Sequence, residues 1–113
     1  MSGRRAVVTP DWRSAVAYPE TGPGVTLLHE SGELKVVLVG LEPGQALPPH
    51  PGPSASFHFL DGNGVIAVDD EQIVVSAGAT VVVPSGAVRS VRAISRLTFL
   101  GSLGDPASEA GPH

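Results

Sequence analysis

The sequence predicts a single all-β domain, a sandwich or barrel of short antiparallel strands. Two observations carry this. Short apolar runs recur with Gly, Pro, Asn or Asp between them, at the roughly 8–12-residue spacing of strand plus turn in such folds. No window shows the 3.6-residue apolar period of an amphipathic helix. The 14 Gly and 11 Pro among 113 residues therefore read as turn punctuation and not as low-complexity sequence. At this length one core is expected, not two. The 42% hydrophobic and 16% charged residues supply enough apolar material to build it.

Residues 1–24 alternate short apolar pieces with Pro10, Pro19 and Pro23. They are expected to add one edge strand, where proline is tolerated, with Trp12 and Tyr18 covering a barrel end. The barrel proper is expected over 25–101. Strands at 25–30 and 34–39 flank Ser31-Gly32-Glu33, a hairpin turn. His29 closes the first of them with no specific role. Strands at 54–60 and 65–68 flank Asp61-Gly62-Asn63-Gly64, whose Asp-Gly and Asn-Gly pairs are the strongest short-range hairpin signals. Asp69-Asp70-Glu71 makes the next turn, its acids a solvated face with no further carboxylates nearby to complete a cation cage. Strands at 72–76, 80–83, 87–94 and 97–100 follow. Runs such as Ile73-Val74-Val75 and Val81-Val82-Val83 look like strands covered on both faces. Residues 102–113 read as a loose tail, and the terminal His113 as inert.

Charge and composition narrow the function classes. Seven basic against eleven acidic residues, net −4, offer no cluster able to neutralise several phosphates, so nucleic acid is not expected as a partner. Absent cysteine removes disulfides, thiolate metal sites and cysteine nucleophiles. No run reaches the length that crosses a bilayer, and the apolar stretch after Arg4-Arg5 is too short for a signal sequence. A soluble, cytoplasmic protein is expected, without a membrane partner. Unpaired sheet edges in so small a barrel point to a homodimer.

Two blocks carry the candidate chemistry: Gly44-Gln-Ala-Leu-Pro-Pro-His50-Pro-Gly52 and Gly78-Ala-Thr-Val-Val-Val-Pro84-Ser-Gly86-Ala-Val-Arg89. They resemble the paired motifs of the cupin superfamily, small jelly-roll β-barrels of antiparallel strands. In the second motif Gly78, Pro84 and Gly86 stand at the family's spacing, and Arg89 takes the place of a metal-binding His. In the first, Gly44 and His50 match, Gly52 replaces the second His, and the Glu position falls at Ala55, Ser56 or Phe57. The resemblance spans about residues 25–101.

The resemblance implies a jelly-roll barrel with a small-molecule pocket. It also implies a divalent transition metal on three His and one Glu, of which this chain keeps one. Arginine has no lone pair to give and repels a cation. No cofactor is therefore expected. Strand parity, read against the family pattern, points Arg89 inward with Val91 and Ala93, and Arg92 outward. An inward guanidinium needs a partner. That partner is either an internal acid or backbone carbonyls, or a ligand anion held in a bidentate fork.

The leading expectation is a metal-free pocket for a small anionic substrate. His50 is its candidate catalytic base, Arg89 its anion binder, and His58, Phe57, Phe59 and Val91 its lining. The activity would be that of a His-based isomerase, epimerase or cyclase, as in metal-independent cupins such as sugar-nucleotide epimerases. The alternatives are a non-catalytic ligand-binding or structural module, and a metal-dependent dioxygenase or isomerase using His50, His58 and a further carboxylate.

Overall fold

A computed structural model describes residues 4–104. It contains one helical turn, α1 (Trp12–Ala15), and nine strands: β1 (Gly24–Glu30), β2 (Leu34–Leu41), β3 (Ala46–His50), β4 (Ala55–Asp61), β5 (Asn63–Val68), β6 (Glu71–Ser76), β7 (Thr80–Val83), β8 (Arg89–Ala93) and β9 (Leu97–Gly104). They form two antiparallel sheets, ordered β1-β2-β9-β4-β7 and β3-β8-β5-β6. This is the all-β jelly roll the sequence predicts.

The core lies between the sheets and draws on both. Val39, Leu41, Phe57, Phe59 and Phe99 come from the five-stranded sheet, and Ile66, Val75, Val91 and Ala93 from the four-stranded one. Phe99 packs edge-on to Phe57, with ring centroids 5.7 Å apart, and tilted against Phe59 at 5.3 Å. Burying each large apolar side chain stabilises the fold by roughly 1.5–3 kcal/mol.

Several local expectations hold. β1 and β2 form a hairpin, closed by Ser31, whose hydroxyl accepts the Glu33 and Leu34 amides. β5 and β6 form the other, across Asp69-Asp70, with Asp69 in the left-handed region at φ 50°.

Others are corrected. The Asp61–Gly64 stretch is not a hairpin, because β4 belongs to the five-stranded sheet and β5 to the other. It is a corner between sheets. At Gly62, φ +84°, a Cβ would stand 1.8 Å from the Arg96 carbonyl oxygen, so only glycine lets the chain turn against 95–97. Residues 46–50 form a strand despite Pro48 and Pro49, because β3 is an edge strand and loses little by lacking amide donors.

No strand forms among described residues 4–23. Asp11 instead caps a helical turn, its carboxylate accepting the Arg13 amide at 3.0 Å, and the prolines keep the rest irregular. β9 continues to Gly104, so residues 102–104 are strand and not tail; residues 105–113, with His113, lie outside the described part. The valine runs are not covered on both faces, since Val74 is 77% and Val82 74% exposed. Among the described residues no helix is long and apolar enough to cross a membrane.

Tyr18 does close one end of the fold. Its hydroxyl shares a hydrogen bond with the Thr98 hydroxyl, satisfying a side chain with no exposure. Arg96 stacks on the Tyr18 ring at 4.4 Å and forks onto Glu42 at 2.8 and 3.0 Å. That ion pair holds the Glu42 carboxyl below its usual value. Trp12 is half-buried, with the Arg13 guanidinium 4.7 Å over its ring.

Candidate functional site

The two sequence blocks meet where β3 ends and β8 begins, with His50 opposite Arg89 in the register. Period-2 alternation along β8 buries Arg89 at 2%, Val91 at 2% and Ala93 at 1% exposure and turns Arg92 outward. Arg89 thus points inward, as parity requires.

Among the described residues the guanidinium is held by backbone alone. Nε donates to the Ala87 carbonyl at 3.0 Å, Nη1 to Pro53 at 2.8 Å, and Nη2 to Gly52 at 3.1 Å and Pro84 at 3.3 Å. Four of its five N–H groups are spent in this way. Among the described residues no buried side-chain nitrogen or oxygen lacks a partner. The expected bidentate fork for a ligand is corrected, because Nη1 keeps one N–H and no edge keeps two. Burial pushes the Arg89 pKa down from its ordinary value, and the nearby Asp69 charge opposes this. Arginine so placed remains protonated. Asp69 itself accepts the Val88 amide at 2.9 Å and fixes the turn that presents Arg89.

Gly52 is part of the same construction. A Cβ there would lie 3.2 Å from Arg89 Nη1 and 3.4 Å from its Cζ. The guanidinium occupies the space into which a side chain at 52 would grow.

A cavity of about 170 Å³ opens beside these groups. His50 and Arg89 line it together with Phe57, Val91, Phe99, Val37 and Lys35. His50 is exposed, and its Nδ1 lies 3.0 Å from the Pro48 carbonyl. A carbonyl only accepts, so Nδ1 carries the hydrogen and the neutral ring keeps its lone pair on Nε2.

Of the expected lining residues, Phe57 and Val91 border the cavity. Phe59 is fully buried behind Phe99 and does not. His58 does not either. Alternation along β4 turns it to the outer face, where Nδ1 and the Thr80 hydroxyl share a hydrogen bond of 2.6 Å. Lys35 was not anticipated. Its signal was available, since it is the chain's single lysine and shares strand parity with the inward Val37 and Val39.

The residues present do not fit the metal the resemblance implies. One imidazole faces a buried, carbonyl-bound cation, Gly52 offers no donor, and Ser56 points outward between inward Ala55 and Phe57. Among the described residues no three His, Asp or Glu side chains gather as an ion's ligands would.

A larger groove of about 830 Å³ runs outside the barrel, between the N-terminal segment and the five-stranded sheet, bordered by Trp12, Leu28 and Leu100. It is the more open of the two and contains none of the motif residues.

A search of curated proteins finds no match. Solved structures show the fold. A conserved protein of unknown function from Streptococcus pyogenes superposes with TM-score 0.80 at 23% identity, over 93% of each chain. An RmlC-like cupin from Desulfovibrio desulfuricans gives TM-score 0.75 at 26% identity, over 93% of this chain and 97% of its own. A predicted oxalate decarboxylase from Thermotoga maritima gives 0.68 at 19% identity, over 73% and 79%. The family model described as cupin domain matches residues 37–100, more than half of the sequence. With the jelly roll and the meeting of the two motif blocks, this match makes the chain a member of the cupin superfamily.

Proposed function

We propose that this cupin binds a small anionic molecule in its interior cavity without a metal, and that His50 transfers a proton on the bound molecule. One observation carries the reading. Among the described residues, every ionisable side chain bordering the cavity is basic: Lys35, His50 and Arg89. An apolar chamber with cationic groups at its mouth attracts a negative charge and strengthens the interaction by excluding water.

His50 is the group suited to proton transfer near neutral pH. Among the described residues no carboxylate or second imidazole borders the cavity, so the chemistry that fits is single-base isomerisation. Nε2 removes a proton from carbon adjacent to a carbonyl or carboxylate, and the electron pair passes to that oxygen. The fixed charge of Arg89 and the ammonium of Lys35 stabilise the enolate. For a substrate with a carbon–carbon double bond next to the ionised carbon, the same imidazolium then returns the proton on the same face to the far end of that double bond, as the enolate electrons re-form the carbonyl and the double bond moves into conjugation.

The test is a panel of small carboxylates and keto acids incubated with the protein in D2O, with binding followed by thermal shift and carbon-bound deuterium by NMR. Wild type should bind and exchange one or more panel members. His50→Gln should keep binding and lose exchange by about 10²–10⁴-fold. Binding without exchange in wild type would replace this reading with a non-catalytic binding module.

A further inference from the structure

The cavity's size and the occupied state of Arg89 together specify the ligand more closely. Resting on the reading that this cavity is the ligand site, we infer that its ligand is a monoanion with a body of one ring or a five- to six-carbon chain, and that Lys35 recognises the charge.

Size comes first. A volume near 170 Å³ is close to that of the roughly 150 Å³ apolar cavity that accommodates benzene. A sugar nucleotide or a two-ring compound does not fit inside it. The walls are apolar, with Phe57 and Phe99 at 84° to one another, a surface that suits a flat ring or a short chain better than a polyol.

Charge comes second. Arg89 has committed four of its N–H groups to carbonyls, so it contributes a fixed positive field and at most one further hydrogen bond. His50 is neutral when it acts as base. Lys35 is the remaining cation: exposed, bordering the cavity, and among the described residues without a carboxylate at salt-bridge distance. Its cross-strand neighbour Glu30 does not border the cavity. One mobile ammonium matches one carboxylate, and a dianion would leave a second charge against phenylalanine and valine, which is costly.

The probes are sodium benzoate, benzyl alcohol and 2-naphthoate, titrated at fixed ionic strength and followed by the NMR signals of Val37, Phe57 and Val91. Benzoate should bind at least tenfold more tightly than either of the others. Lys35→Met should weaken benzoate at least tenfold and change benzyl alcohol less than twofold, with melting temperature unchanged because the side chain is exposed. Equal binding of benzoate and benzyl alcohol, or an unaltered benzoate affinity in Lys35→Met, overturns recognition by Lys35 while leaving the cavity as the ligand site. Equal binding of 2-naphthoate overturns the size limit. No shift of the cavity signals with any probe, or with any member of the wider panel, overturns the underlying reading and this inference with it.

Discussion

Replacing Arg89 by Met keeps an unbranched apolar stem and removes the guanidinium. Four carbonyls, those of Gly52, Pro53, Pro84 and Ala87, then lose a charged donor. Hydrogen bonds to charged groups contribute about 1.5–3 kcal/mol each. Against that sum stands the desolvation of a buried guanidinium, several kcal/mol that the variant no longer bears, and the recovery of water by carbonyls near the mouth. The net loss should be about 2–4 kcal/mol. At roughly 4 °C per kcal/mol for a domain of this size, Tm should fall by about 8–16 °C in differential scanning calorimetry. Gly52→Ala supplies the control for the mechanism. Its Cβ would stand 3.2 Å from Nη1, and the guanidinium cannot retreat without lengthening bonds that fix it. Gly52→Ala should therefore cost more in wild type than in Arg89→Met, with a coupling of about 1 kcal/mol. Any gain from a stiffer unfolded chain appears in both backgrounds and cancels. A fall in Tm below about 3 °C for Arg89→Met, or equal costs of Gly52→Ala in the two backgrounds, would refute this account of the guanidinium.

The remaining predictions concern charge, metal and assembly. Arg96 lowers the folded-state pKa of Glu42 from its ordinary 4.5, so the pair stabilises the fold above that value, and this contribution is lost as pH falls through the lower folded value. Urea midpoints from pH 6 down to pH 3 should show it, and Glu42→Gln should remove that component of the acid sensitivity. Untagged protein should carry well under one equivalent of iron, manganese, nickel or zinc by mass spectrometry. Stoichiometric metal that disappears in His50→Ala would overturn the metal-free reading in favour of a dioxygenase or metal-dependent isomerase. We further expect a homodimer at tens of micromolar by light scattering. The outer face of the five-stranded sheet leaves Leu34 43% and Val82 74% exposed, so Leu34→Lys with Val82→Lys should yield monomer.

Most strands were legible because each is a short apolar run between breakers, and that information is local. Beyond the β1–β2 and β5–β6 hairpins, which strands pair was not. Asp61-Gly62-Asn63-Gly64 satisfies the dihedral needs of a hairpin turn, and it satisfies those of a corner between sheets equally well. The choice is made by the carbonyl of Arg96, which fills the space beside Gly62 from a position far along the chain. β3 was hidden by Pro48 and Pro49, whose penalty depends on whether a neighbour needs their amides. An edge position removes that need, and edge status is a property of the whole sheet.

The site was legible in what it lacks and illegible in what replaces it. Motif spacing located the missing ligands at 52 and 89, and parity turned Arg89 inward. The guanidinium's partners could not be read, because backbone carbonyls carry no residue-type signature. Their identity also links two departures that look independent in the sequence. Arginine at 89 disfavours a side chain at 52, since its Nη1 would lie 3.2 Å from a Cβ there and would have to give way. Histidine at 52 would collide with that guanidinium, and histidine at 89 alone would face no donor across the turn. Beside Arg89, a dication some 4 Å away would be opposed by about 8 kcal/mol at an effective dielectric near 20, more than one imidazole can offset. Rebuilding an ion site therefore needs Gly52→His and Arg89→His together. The carboxylate must then come from Phe57→Glu, because Phe57 borders the cavity while Ser56 faces away.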